Sequence, residues 1–147
     1  MKGLYRGFCR NENGTETIVL NGDKIKGDWI YGGLYVNSRI YDIKATHLIM
    51  ETIDGFRMIE PPMAKPYEVI PETVCEAVRG LTDRNGKQVF EGDIFKNGSY
   101  PLAEVKYNEE FWEWSAKDFG GFEDKINEFN VDEVIGTIFD EQFAEGV

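Results

Sequence analysis

Short apolar and aromatic runs, each ended by glycine, asparagine or proline, recur along the chain and constrain its fold more than any other feature. Helical periodicity is scarce, and this pattern is typical of all-β proteins. The pairs Asn13-Gly14 and Asn21-Gly22 suit tight turns, because both residue types tolerate positive φ. The runs predict strands at 4–9, 15–20, 29–36, 47–51, 67–70, 76–80, 87–90, 93–96, 103–107, 111–115 and 134–139.

A proline-rich segment divides the chain near its middle. Residues 61–66 read PPMAKP, and Pro71 follows. Proline removes a backbone donor and favours extended geometry in the residue before it, so the segment reads as a linker. We therefore predict two domains, an N-terminal β region at residues 1–70 and a C-terminal β-barrel domain at residues 71–147.

One stretch departs from the β pattern. Phe119, Phe122, Ile126 and Phe129 recur at three- and four-residue spacing with acids between them. That spacing predicts a short amphipathic helix within 118–129, packed on the barrel.

The densest local signal is LTDRNGKQVFEGD at residues 81–93. Asn85-Gly86 suits the apex of a hairpin, and Gly92 between two acids suits a second reversal. Two reversals within about a dozen residues are how a small β-barrel begins. A phosphate loop is excluded by the spacing from Gly80 to Gly86 and by Gln88 in place of the magnesium-binding hydroxyl. A calcium loop fails at most of its ligand positions.

Glu91 and Asp93 could instead form a catalytic carboxylate pair in a hydrolase or transferase. At a glycine turn, however, both would be solvated and would make poor general acids at neutral pH. His47 is the single histidine, and with two cysteines it cannot complete a histidine–cysteine zinc cluster. We therefore expect no enzymatic activity, no catalytic residue, no metal site and no cofactor.

The aromatic stretch Phe111-Trp112-Glu113-Trp114 is the candidate partner-binding site. Strand alternation would place both tryptophans on one face, where they either close the barrel core or form an exposed shelf for a peptide, sugar or base. Neighbouring acids would repel a nucleic-acid backbone, so a peptide or basic protein is the expected guest. The acids are Glu104, Glu109, Glu110, Glu113 and Asp118; the predicted site comprises Trp112, Trp114, Glu109, Glu110 and Glu113.

Charge is unevenly distributed. The net charge is −11; residues 1–75 carry 9 basic and 10 acidic side chains, whereas residues 76–147 carry 7 and 17. Direct nucleic-acid binding is therefore not expected, since it needs a basic surface. The acidic half is either a solvated face or a surface that engages a basic partner or imitates DNA.

The start of the chain shows no signal-peptide pattern, and no apolar run approaches the length of a membrane span. We therefore expect a cytoplasmic protein without a membrane partner. In that compartment we expect Cys9 and Cys75 to be reduced. A disulfide between them is the alternative, since the sequence does not give their distance.

Six stretches share the pattern of one known family. They are VIPETV (69–74), GLTDRNGK (80–87), VFEGDIF (89–95), EVIGTIFD (133–140), LYRG (4–7) and WIYGG (29–33). Together they resemble the YopX family of phage and prophage proteins. The resemblance implies an all-β protein with an irregular N-terminal β region and a small SH3-like C-terminal barrel. It also implies self-association, and it implies no known activity or catalytic residue.

Two functional hypotheses follow. The first is a phage- or prophage-encoded, non-enzymatic interaction or assembly module, a homo-oligomer that binds a phage or host protein in the bacterial cytoplasm. The second is an acidic DNA mimic that inhibits a host nucleic-acid-binding protein.

Overall fold

The structure, a computed structural model, is built from β-strands. It describes the backbone of residues 5–32, 34–36, 39–41, 48–52, 55–59 and 66–143, and the side chains of residues 5–32 and 67–143. Within those residues there is no α-helix, and the two helical segments, Pro71–Thr73 and Ile126–Glu128, are single 3₁₀ turns. No helix in the described part of the chain is long and apolar enough to cross a membrane.

Fifteen strands follow one another along the described residues. They are β1 (Tyr5–Arg10), β2 (Glu16–Leu20), β3 (Asp23–Gly32), β4 (Leu34–Val36), β5 (Arg39–Tyr41), β6 (Leu48–Thr52), β7 (Gly55–Ile59), β8 (Pro66–Glu68), β9 (Cys75–Thr82), β10 (Gln88–Phe90), β11 (Asp93–Asn97), β12 (Tyr100–Asn108), β13 (Glu113–Asp118), β14 (Glu123–Lys125) and β15 (Glu133–Thr137).

The strands group into two compact units. The first contains Met1–Glu16 and Lys26–Glu76, and the second contains Thr17–Ile25 and Ala77–Val147. The domain division predicted between residues 70 and 71 stays a prediction. The chain passes between the units three times, within β2, within β3 and within β9.

The first unit is organised around β1. This strand pairs antiparallel with β3 from Tyr5↔Gly32 to Arg10↔Gly27, and its start pairs with the first residues of β9. The same unit also holds the antiparallel ladder β4-β5-β8 and the β6–β7 hairpin.

Phe8 is the centre of the described core of the first unit. Its side chain is fully buried and meets the Trp29 ring edge-on at 5.3 Å between centroids. The Phe8 backbone N–H donates to Thr73 Oγ1 at 2.9 Å, which ties β1 to the 3₁₀ turn. Gly27 lies directly against β1, because a Cβ there would overlap the Cys9 carbonyl oxygen. The close approach of the β1 backbone therefore leaves no room for a side chain at position 27.

The second unit is dominated by a five-stranded antiparallel sheet in the order β14-β13-β12-β11-β15. The sheet is curled into a half-barrel; its predicted SH3-like topology stays a prediction. Asn21 and Gly22, both at positive φ, join β2 to β3 as the asparagine–glycine pair predicts. Glycines 86 and 92 likewise adopt positive φ at the reversals before β10 and β11.

Alternation along the strands builds the core of the second unit. On β12, Ala103 and Val105 are buried, while Glu104 between them belongs to the other face. Phe95 and Phe129 meet edge-on at 6.1 Å between ring centroids within this core. The buried cluster consists of Val78, Val89, Phe95, Ala103, Val105, Ala116, Phe129 and Val134.

Most predicted strands have a counterpart, often within one or two residues. The amphipathic helix predicted within 118–129 is wrong, and only the 3₁₀ turn Ile126–Glu128 is helical. Gly121 adopts φ +103 and reverses the chain between β13 and β14, so the phenylalanines there follow a hairpin and not a helical face. His47 and residues 61–65 of the predicted linker lie outside the described residues; Pro66 begins β8.

Candidate functional site

Asp83 in the central motif is a backbone anchor. Its Oδ1 accepts hydrogen bonds from the N–H groups of Asn85 and Lys87, both at 2.9 Å, and its Oδ2 accepts one from Val134 at 3.0 Å. The hydrogen bond from Val134 is the largest influence that lowers the pKa of Asp83; burial opposes it, and the bonds from Lys87 and Asn85 add to it. One carboxylate thus holds the β9–β10 turn and the start of β15 together.

Asp93 closes the second reversal of the motif. Its Oδ2 accepts the Phe90 N–H at 2.7 Å, across the turn that Gly92 makes at φ +83. The side chain of Asp93 is fully buried, so the prediction that it would be solvated is wrong, whereas Glu91 is half-buried. A buried carboxylate that closes its own turn explains why an acid follows the glycine.

The described residues contain no group of three or more histidine, cysteine, aspartate or glutamate side chains that could hold a metal ion. Cys9 and Cys75 are both free thiols. Burial raises the pKa of the Cys9 thiol, and the nearby carboxylates of Asp28 and Glu68 raise it further, which disfavours the reactive thiolate.

The hairpin tip, residues 108–113 between β12 and β13, is the most exposed aromatic element described. Phe111 is 64% exposed and Trp112 is 82% exposed. Asn108 Oδ1 accepts the N–H groups of Glu110 at 3.0 Å and Phe111 at 3.3 Å, which fixes the turn. Trp112 adopts φ +56, in the left-handed region that an L side chain other than asparagine or aspartate rarely enters.

The two tryptophans of the predicted site are separated by this turn. Trp112 lies in the turn before β13, whereas Trp114 lies within β13. The two side chains therefore do not share a strand face, and the predicted alternation is wrong. Trp114 is half-buried, packs against the core of the second unit, and meets Tyr107 edge-on at 5.1 Å between ring centroids. Trp114 therefore packs within the sheet below the tip, whereas Trp112 is exposed at the tip, where a partner could contact it.

The acids predicted near the tip also differ in exposure and in their distance from it. Glu109 and Glu110 are exposed at the tip, and Glu113 is half-buried opposite Asn108. Asp118 lies opposite Ala103, five residues or about 17 Å from the tip along β12. Glu104 lies between these ends, where burial raises its pKa against the attraction of Lys106 and Lys117.

A cavity of about 550 Å³ opens at the other end of the β12–β13 hairpin. We call it the end cavity; the rings of Tyr100, Phe122 and Phe129 and the carboxylates of Asp118 and Glu128 line it. The sequence pattern indicated Phe122 and Phe129 only as part of a helical face, and it did not indicate Tyr100. The glycine pair Gly120-Gly121 was the available signal for the turn that brings them here instead.

The comparisons with known proteins give one match. A sequence model of the family described as YopX protein matches residues 22–142 of this chain. No curated protein and no solved structure matches. The match spans most of the chain, including the central motif, the hairpin tip and the end cavity, and the chain belongs to the YopX protein family.

Proposed function

We propose that this YopX-family protein is a phage- or prophage-encoded, non-enzymatic interaction or assembly module that docks a protein partner through its hairpin tip. The observation that carries the proposal is the state of Trp112, which combines 82% exposure with a left-handed backbone. A large apolar side chain that is mostly exposed to water, at a strained backbone position, contributes little to the stability of the free chain. Both features are understandable if the ring is buried in a complex.

The chemistry of the tip defines the partner. Phe111 and Trp112 offer apolar area, while the exposed carboxylates of Glu109 and Glu110 lie beside them. Such a surface fits an apolar pocket bordered by lysine or arginine, as aromatic residues tend to anchor interfaces and opposite charges select the partner. A second copy of the chain, a phage protein or a host protein in the bacterial cytoplasm could supply that pocket.

The hypothesis of a DNA mimic stays a prediction with less support from the charges. In the five-stranded sheet of the second unit, Glu104 lies opposite Lys117, which in turn lies opposite Glu123. Along this row of described residues a lysine therefore interrupts the carboxylates, unlike the uniform charge of a phosphate backbone. A mimic would lose affinity for a basic host enzyme steeply as salt rises.

The hypothesis of an enzyme that uses Glu91 and Asp93 also lacks support. Asp93 accepts a backbone hydrogen bond from inside its own turn and is shielded from solvent. If the pair were catalytic, replacing both with alanine would abolish an activity and leave the thermal midpoint nearly unchanged. We expect the midpoint to fall.

The docking proposal is tested by photo-crosslinking from the tip. A p-benzoylphenylalanine in place of Trp112 should give a discrete adduct, either a second copy or another protein, whereas the same group in place of Tyr100 should not. Tyr100 is 71% exposed, close to the exposure of Trp112, but lies at the other end of the hairpin.

The captured protein, or the chain itself if the adduct is a dimer, is then purified and its affinity measured. The double variant Phe111→Ser/Trp112→Ser should bind at least about tenfold more weakly, the loss expected for an aromatic anchor, and Tyr100→Ser should bind as wild type does. Unchanged affinity and unchanged light-scattering mass in the double variant would contradict the proposal.

A further inference from the structure

The end cavity lies at the opposite end of the hairpin from the tip and has no role in tip docking. Its volume of about 550 Å³ is in the range of small-molecule sites. Three connections meet there: the β11–β12 turn, the β13–β14 turn and the residues after the 3₁₀ turn Ile126–Glu128.

Hydrogen bonds hold these connections in place. Gly98 N–H donates to Asp132 Oδ2 at 3.0 Å, and Asn130 N–H donates to Asn97 Oδ1 at 2.9 Å. Phe122 N–H donates to Asp118 Oδ1 at 2.9 Å. Each connection is therefore fixed by a side-chain oxygen, and the cavity is preformed.

The lining combines rings with negative charge. Phe122 and Phe129 lie 5.6 Å apart between ring centroids, and Phe129 is anchored in the core, while Tyr100 is largely exposed. Aromatic faces attract cations, and carboxylates complete their coordination. No lysine or arginine is among the described residues that line the cavity, so its two carboxylates are not neutralised there.

Asp118 brings a negative charge to a poorly exposed part of the cavity lining. Its side chain is 7% exposed, and its Oδ1 accepts a hydrogen bond from the Phe122 N–H at 2.9 Å. Because a carboxylate can accept several hydrogen bonds, a cationic donor that enters the cavity can bind Asp118 while the bond from Phe122 stays in place.

We propose that the end cavity binds a small organic cation that carries a guanidinium or alkylammonium group. A planar guanidinium can lie against an aromatic ring while its N–H groups donate to a carboxylate. The ligand's charge then meets Asp118 and Glu128, and its aliphatic part contacts Phe122 and Tyr100.

The test uses the full chain, labelled with ¹⁵N, and two matched probes. Butylguanidinium is the cation, and butylurea has the same shape without the charge. Butylguanidinium should give saturable shifts of the amides of Gly98, Gly121, Phe122 and Asn130, with an affinity at the millimolar level that suits so small a ligand, and butylurea should bind at least about tenfold more weakly. Agmatine, which adds an ammonium group, should bind more tightly than butylguanidinium.

Three variants locate the site. Tyr100→Ala, Phe122→Ala and Glu128→Gln each change an exposed side chain and should weaken butylguanidinium binding several-fold while the free energy of unfolding stays near the wild-type value. Trp112→Ser, at the other end of the hairpin, should leave this binding unchanged, which separates this proposal from tip docking. Equal affinity for butylurea, the absence of saturable shifts up to about 10 mM probe, or full binding by all three variants would overturn the proposal.

Discussion

The central motif at residues 81–93 and the hairpin tip contain similar residues but orient them oppositely. In the motif, Asp83 and Asp93 are buried and accept hydrogen bonds from backbone N–H groups. At the tip, Glu109, Glu110 and Trp112 face solvent. Acids beside a turn therefore do not indicate function by themselves; the difference is whether their oxygens are already occupied by the chain.

The comparison also involves glycine. The motif places glycine at its positive-φ positions, Gly86 and Gly92, where no side chain is strained. The tip places tryptophan at such a position, although glycine would fit there with less strain. The motif is thus consistent with selection for folding, and the tip is consistent with selection for contact.

Replacing Asp83 with alanine should lower the free energy of unfolding more than any of the other changes below. A small effect would contradict the view that the acids of the motif serve the fold. The change removes the acceptor of three backbone N–H groups and leaves the buried Val134 N–H without one. We expect the free energy of unfolding, measured by urea denaturation, to fall by about 3 kcal/mol. Glu109→Ala at the tip is the matched control and should change it by less than about 0.5 kcal/mol.

The same contrast has a pH signature. Because the folded state lowers the pKa of Asp83, its contribution to stability is complete above the unfolded value of about 4 and is lost as the pH falls further. The difference in unfolding free energy between wild type and Asp83→Asn should be constant from pH 7 to about pH 5 and shrink below about pH 4. A difference that persists at lower pH would exclude the charge of Asp83 as its cause.

Gly86→Ala should have an intermediate effect. A Cβ at Gly86 would meet no atom within 4 Å, so the φ of +80 is the only source of strain. We expect a loss of about 1 kcal/mol in the free energy of unfolding. Gly86→Asn, which tolerates left-handed backbone, should lose less, and an equal loss in the two variants would argue against strain as the cause.

Local chemistry made much of the fold predictable. Asn21-Gly22 adopts positive φ at both residues, and Asp93 follows Gly92 at a reversal, as the sequence pattern indicated. Short strands between such turns could be placed because their alternation and their ends are both local signals. The strands β5, β7 and β14 were not predicted; β14 is three exposed, charged residues with no apolar alternation to reveal it.

The sites were less predictable because they depend on register and turn geometry. Asp118 follows Trp114 by four residues, yet β13 places it at the end of the hairpin away from the tip. The end cavity brings together Asn97 and Asn130, which are 33 residues apart in the chain. The spacing of residues in the sequence shows neither the position of Asp118 on the hairpin nor the contact between Asn97 and Asn130. For the same reason the sequence predicted a strand face for Trp112 that the structure does not have, and it did not predict the cavity.

Trp112→Gly should change the free energy of unfolding least among these variants. Whether the change is a gain or a loss distinguishes a residue kept for binding from one kept for folding. Glycine relieves the strain at φ +56, and an 82% exposed ring contributes little packing, although glycine also gains freedom in the unfolded chain. We expect a net gain of about 0.5 kcal/mol in the free energy of unfolding, measured by urea denaturation, and weaker binding when the affinity for the captured partner is measured. If the variant is more stable and binds its partner more weakly, the role of Trp112 is in binding and not in folding. If Trp112→Gly instead lowers the free energy of unfolding by about 1 kcal/mol or more, the tryptophan belongs to the folded core, as the motif acids do, and the distinction between the two regions fails.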